Sequence, residues 1–133
     1  MNASLSKPTR IEREFLVACF CAEWCGTCRE YKEGFDTLQA AFPHIDFLWF
    51  DVEDAPEWSE NFDVENFPTI LIQRNNLVLF YGAMLPHHSQ LQRMIANFES
   101  QSLEEAFRFA NQTLERKDWQ KNKNLRGYLK QSL

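Results

Sequence analysis

The chain has 133 residues, 44% hydrophobic and 25% charged, a globular composition of a size that suits one domain. Fourteen Lys and Arg against nineteen Asp and Glu leave a formal charge of −5, which excludes a strongly basic nucleic-acid footprint. The longest apolar runs, Phe15–Ala22 and Ile45–Val52, fall far short of the roughly 20 residues a membrane-spanning helix needs, so no membrane contact is expected.

Residues 1–14 are polar and predict a loosely ordered segment, with at most a turn of helix near Thr9–Glu14. They hold no apolar stretch of the kind a secretory signal requires. All four cysteines fall within ten residues, Cys19 to Cys28, instead of being spread as staples between distant segments. That crowding points to chemistry at one site, and the expected compartment is the cytoplasm. Phe15–Cys21 is an apolar run of strand length and predicts a buried central strand. After Cys25 the apolar positions Cys28, Tyr31, Phe35, Leu38 and Phe42 recur at helical spacing until Pro43, with Gly34 expected to mark a bend. Ile45–Val52 predicts a second buried strand, which makes a βαβ unit with parallel pairing and a right-handed crossover.

Residues 51–65 hold seven acidic residues and no basic one, which reads as a solvated face with a short helix near Pro56–Phe62. Thr69–Gln73 and Leu77–Gly82 predict a hairpin turning at Asn75-Asn76. Leu91, Met94, Ile95 and Phe98 define the apolar face of a further helix. Ser102-Leu103-Glu104-Glu105 is a capping-box pattern that opens a helix over 103–115, with Leu103, Ala106, Phe107, Ala110 and Leu114 as its core face. Residues 116–130 carry six basic residues and only Asp118 as acid, and read as a frayed, solvated tail.

The informative stretch is Ala22-Glu23-Trp24-Cys25-Gly26-Thr27-Cys28-Arg29, where a buried strand gives way to a helix. Two thiols three positions apart at a helix start can close into a small disulfide ring. The helix's unsatisfied N–H groups favour a thiolate at the first, so Cys25 is the expected nucleophile. Cys28, one turn in and more buried, would then resolve the mixed disulfide. Taken alone, half of a zinc site has the same spacing. Cys19 and Cys21, two apart on one strand, share a face toward that helix. They read as small core hydrophobes. A sharper alternative has one of them trap Cys28 in another disulfide, or has the four thiols complete a metal site, an arrangement that would be strained. His44, His87 and His88 match no metal spacing with the cysteines, and neither a metal nor a bound cofactor is expected.

Ala22–Cys28 resembles the active-site stretch of the thioredoxin family, whose usual form has Pro where Thr27 stands. About forty residues downstream, Asn66-Phe67-Pro68-Thr69 resembles the family's second landmark. This is a cis proline before a strand, lying against the disulfide, with the preceding residue's backbone pairing with a bound substrate chain. The resemblance covers about residues 15–98. It implies an α/β thioredoxin-like fold, a central mixed sheet flanked by helices, with a shortened N-terminus and an extra C-terminal helix. The implied division is an N-terminal segment 1–14, the main domain 15–99 and a C-terminal helical extension with a basic tail, 100–133.

The function this resemblance implies is a thiol–disulfide oxidoreductase that reduces protein disulfides through Cys25 and Cys28 and is recycled by a reductase. Trp24, Gly26, Thr27, Phe67 and Pro68 would form the shallow apolar surface that receives the substrate chain. Two departures bear on the chemistry. Cys19 stands where the family usually holds a buried acid, and Trp49 replaces the lysine that partners it, which leaves proton transfer to water or to Cys28. Thr27 in place of Pro alters the dipeptide that helps set the family's reduction potential. The alternative is a thioredoxin-fold interaction module, with weak or vestigial redox activity, whose C-terminal helix and basic tail bind a dedicated partner.

Overall fold

A computed structural model of the chain describes residues 13–22, 25–53, 64, 66–84 and 88–132. Residues 1–12, Trp24, His87 and the expected Pro56–Phe62 helix lie outside the described residues. β1, Phe15–Cys21, is buried along its whole length. Alternate strand residues point to opposite faces, so Phe15, Val17, Cys19 and Cys21 enter one core while Leu16, Ala18 and Phe20 enter a second. β1 pairs in parallel with β2, Asp46–Asp51, in the register Leu16↔Asp46 to Cys21↔Asp51. On its other side it pairs antiparallel with β3, Thr69–Arg74, from Phe15↔Arg74 to Phe20↔Thr69. β3 turns at Asn75, whose φ of 52° suits a residue that tolerates the left-handed region, into β4, Leu77–Ala83. Among the described residues the sheet order is β2-β1-β3-β4, the mixed sheet that the sequence implied.

The first core is covered by helices. α1, Gly26–Ala41, contributes Cys28, Tyr31, Phe35 and Leu38, and α2, His88–Glu99, contributes Leu91, Ile95 and Phe98. α1 runs unbroken through Gly34. A Cβ there would stand 2.7 Å from His88 Nδ1 and 2.8 Å from His88 Cβ, so the glycine admits the start of α2.

The C-terminal region departs from expectation in two ways. Ser102 caps α3, Leu103–Ala110, in a full capping box with Glu105. The helix does not continue to residue 115, however: Asn111 caps its end, and Thr113 accepts the Arg116 N–H at 3.1 Å to start α4, Leu114–Asn122. The core face is also narrower than its periodicity suggested. Ala106 and Ala110 are buried, whereas Leu103, Phe107 and Leu114 are 57%, 60% and 85% exposed. Alanines let the helix approach the core closely, and the bulkier flanking residues stay in water.

The basic stretch is likewise no frayed tail. α4 and α5, Leu125–Ser132, lie over the second face of the sheet, where Leu125 is buried among Leu16, Ala18, Phe20, Leu71 and Val78. Trp119, Tyr128 and Leu129 pack around it. Side-chain amides fasten the cover. Gln120 on α4 donates to the Val78 carbonyl and accepts the Val78 N–H, both at 2.8 Å. Gln73 on β3 accepts the Leu125 N–H at 3.1 Å and donates to Asn124 Oδ1. Two of the cations lie over rings, Arg116 at 3.8 Å from the Phe109 centroid and Lys123 at 4.7 Å from that of Tyr81. Long basic side chains can thus cover apolar surface while their charges stay hydrated.

These faces are separable by substitution. Leu125→Ala is expected to cost about 2–5 kcal/mol in urea unfolding. Leu114→Ala should stay within about 0.5 kcal/mol of the parent. A large loss at Leu114 with none at Leu125 would return the core face to the one the periodicity suggested.

Candidate active site

The candidate site forms where β1 hands the chain to α1. The Val52 N–H donates to the Cys21 carbonyl at 2.8 Å and the Cys25 N–H to the Ala22 carbonyl at 3.0 Å, which pins the turn at both ends. Cys25 is the N-cap of α1, with extended backbone, and its side chain caps nothing. It keeps a free thiol, is half-buried and packs against both cores. Gly26 is exposed and Thr27 half-buried beside it, while Cys28, in the first turn, is buried.

Cys28 is bonded to Cys21, with Cα atoms 5.8 Å apart, an ordinary separation for a disulfide. The sequence reading closed the ring between Cys25 and Cys28 and offered a strand cysteine as the alternative partner. The structure holds that alternative. Its cause is directional: Cys21 is the last β1 residue on the face toward α1, and Cys28 is the first α1 residue buried against that face. Cys19 lies behind them, its Sγ 3.5 Å from that of Cys21. With Cys21 in the disulfide, only Cys19 has a proton to donate in that contact.

Burial drives the Cys19 thiol far above its ordinary value of 9.0, with Lys32 opposing weakly, so the position where the family usually holds an acid carries a neutral group here. Tyr31, three residues beyond Cys28, is pushed up from 10.0 by burial first and then by Cys19, and its hydroxyl donates to Met84 Sδ at 3.9 Å. The sequence counted Tyr31 only as an apolar helical position. Nothing in its spacing marked a hydroxyl beside the thiols.

Cys21 and Cys28 line a recess of about 140 Å³ with Ala22, Arg29, Lys32, Trp49 and Asp51. Trp49 meets Phe35 edge-on at 5.4 Å and carries the Lys32 ammonium 5.2 Å from its ring. At the same end of the sheet the Phe67–Pro68 peptide bond is cis, as the resemblance implied. The pairing Phe20↔Thr69 sets Pro68 level with Cys21. Phe67, half-buried, packs against the same two cores as Cys25. Among the described residues, no group of three or more His, Cys, Asp or Glu is arranged to hold a metal ion, and no helix is long and apolar enough to cross a membrane.

A disulfide at a strand–helix junction, a free cysteine on the helix N-cap and a cis proline on the neighbouring strand come together at one end of an α/β scaffold. Residues 3–105 match the family model described as Thioredoxin, and the chain belongs to that family. It is similar to the thioredoxin of Ophiophagus hannah, at 33% identity over 63 residues, 47% of this chain and 60% of that one. It is also similar to an H-type thioredoxin of Fagopyrum esculentum, at 36% over 59 residues, 44% of this chain and 51% of that one. The chain thus spans little more than half the length of these two curated relatives. Among solved structures it resembles the germline-specific thioredoxin Deadhead of Drosophila melanogaster, with a TM-score of 0.62 and 25% identity over 71% of this chain and 90% of that one. The thioredoxin of Trypanosoma brucei brucei shares the fold with a TM-score of 0.63 at 21% identity, over 75% of this chain and 88% of that one.

The buried thiol gives the site a pH signature. Above 9.0 the unfolded chain gives up a Cys19 proton that the folded chain retains. The unfolded state then binds fewer protons, so stability falls as pH rises, by up to about 1.4 kcal/mol per pH unit for this group. Tyr31 adds a loss of the same sign above 10.0. Urea midpoints measured upward from neutral pH should show the decline in the parent and a smaller one between these two values in Cys19→Ala. Equal slopes would mean that Cys19 ionises as readily in the folded protein.

Proposed function

We propose that the chain is a protein-disulfide oxidoreductase acting through Cys25 and Cys28, most simply in the reducing direction. The observation that carries the reading is Cys25 itself, a free, half-buried cysteine on the α1 N-cap, three residues before a buried cysteine and at the cis-Pro68 end of the sheet. Cys25 attacks a substrate disulfide and forms a mixed disulfide, and the reduced Cys28 displaces the product. Gly26, Thr27, Phe67 and Pro68 receive an extended substrate segment, a role we also assign to Trp24 from the sequence. Among the described residues Gly26 has Arg29 as its near neighbour, 3.7 Å from where a Cβ would lie, which leaves room for a passing chain. A reductase recycles the dithiol, and the cytoplasm is the setting in which we place that exchange.

Reduction of insulin disulfides with dithiothreitol as the electron source tests the reading. The parent should accelerate precipitation over dithiothreitol alone, and Cys25→Ser should fall to the dithiothreitol background. Cys28→Ser should accumulate a mixed disulfide on Cys25. A parent protein no faster than background would remove the proposal.

A second reading, an interaction module, draws support from the exposed Leu103 and Phe107 on α3. The double substitution Cys25→Ser/Cys28→Ser separates the two, because a module would keep its partner while an oxidoreductase would lose its activity.

A further inference from the structure

We propose that Cys21 is a third redox-active residue of this site: it displaces Cys25 from the Cys25–Cys28 disulfide and leaves the oxidised protein with an internal Cys21–Cys28 link and a free Cys25. The inference rests on the dithiol reading above and extends it. Cys28 has a possible partner on each side. Toward solvent stands Cys25, on the N-cap and half-buried; inward stands Cys21, on the end of β1, 1% exposed and bonded to Cys28. Cys28 is bonded to Cys21 and stands three residues from Cys25, and a sulfur with two candidate partners is what intramolecular thiol–disulfide exchange requires.

The step balances within the chain. Cys21, as thiolate, attacks Cys28 Sγ. The Cys21–Cys28 bond forms as the Cys25–Cys28 bond breaks, and the electron pair of the broken bond leaves on Cys25. The proton given up by Cys21 is matched by one taken up at Cys25 through solvent. One disulfide exists before the step and one after it, so no external oxidant enters. Cys19 places a neutral thiol 3.5 Å from Cys21 Sγ, a hydrogen-bond donor two residues back on the same face of β1.

The exchange changes what the oxidised protein can do. A thioredoxin-type dithiol closed on itself has no nucleophile left. Here Cys25 remains a free thiol while its resolver is engaged elsewhere. Such a Cys25 can attack a partner disulfide, releasing one partner thiol and holding the other as a mixed disulfide. Cys28 cannot discharge that adduct until Cys21–Cys28 is reduced. The reduced form would turn substrates over and the oxidised form would hold them.

The sequence offers a direct test, because Glu23 separates Cys21 from Cys25. The full chain is reduced, oxidised with stoichiometric diamide, blocked with N-ethylmaleimide, unfolded and cut with a glutamate-specific protease. The expected product joins peptide Phe15–Glu23 to peptide Trp24–Glu30 through Cys21 and Cys28, with maleimide on Cys25. A loop inside Trp24–Glu30, with Cys21 blocked, overturns the inference.

In parallel, the native oxidised parent should show a single fast-reacting thiol toward Ellman's reagent and keep the thionitrobenzoate adduct, while oxidised Cys21→Ala shows none. If Cys21→Ala does not fold, Cys25→Ser serves instead. It should still form the Cys21–Cys28 link on oxidation, and its failure to do so overturns the inference. The map and the insulin assay fail separately: a parent that reduces insulin yet oxidises only at Cys25–Cys28 keeps the dithiol reading and loses this one, whereas a parent inert toward insulin loses the dithiol reading whatever its map.

Discussion

Every residue of β1 is buried, and a strand without a wet side has to be covered twice. The pleat divides the work. One set of side chains, Val17, Cys19 and Cys21 among them, faces α1 and α2, and the other, Leu16, Ala18 and Phe20, faces α4 and α5. The larger apolar side chains so covered, Val17, Leu16 and Phe20, each contribute about 1.5–3 kcal/mol relative to exposure. The dryness of the first face also sets the chemistry, because it keeps Cys19 a thiol and brings Cys21 within bonding distance of Cys28. The cysteine site and the C-terminal cover are therefore two results of the same strand.

Much of this was legible in the residues. β1, α1, β2, the hairpin and α2 follow from runs and periods of apolar side chains, and the capping box places the start of α3 at the right residue. The end of α3 was harder. Asn111 and Thr113 are both capping residues, but the apolar spacing of Ala110 and Leu114 carries a helical pattern straight across them. The basic tail misled for a related reason. Six cations in fifteen residues dominate its composition, while its packing rests on a few side chains such as Leu125, Trp119 and Gln120.

The partner of Cys28 was not legible at all from spacing. Three positions to Cys25 and seven to Cys21 are both short in sequence, and the choice depends on how α1 sits on the sheet. That seating is tertiary. It depends on Gly34 admitting His88, on Phe35 meeting Phe47 and Trp49, and on the parallel register of β1 with β2. A resemblance to a family supplies the usual answer for such a pair. Here the strand offers two additional thiols beside it, and the geometry of four sulfurs has more than one solution.

Gln120 has a consequence for how the sheet ends. Among the described residues β4 is the outermost strand on its side, and outermost strands present unpaired N–H and C=O groups that can recruit the edge of another molecule. At Val78 both groups are already taken by one side-chain amide, which acts there as a strand a single residue long. A second copy approaching this margin would have to dislodge that amide, and with it the hold of α4 on the sheet. Growth of the sheet by self-addition would begin with a loss, so the helix that covers the second core also closes this margin to pairing at Val78.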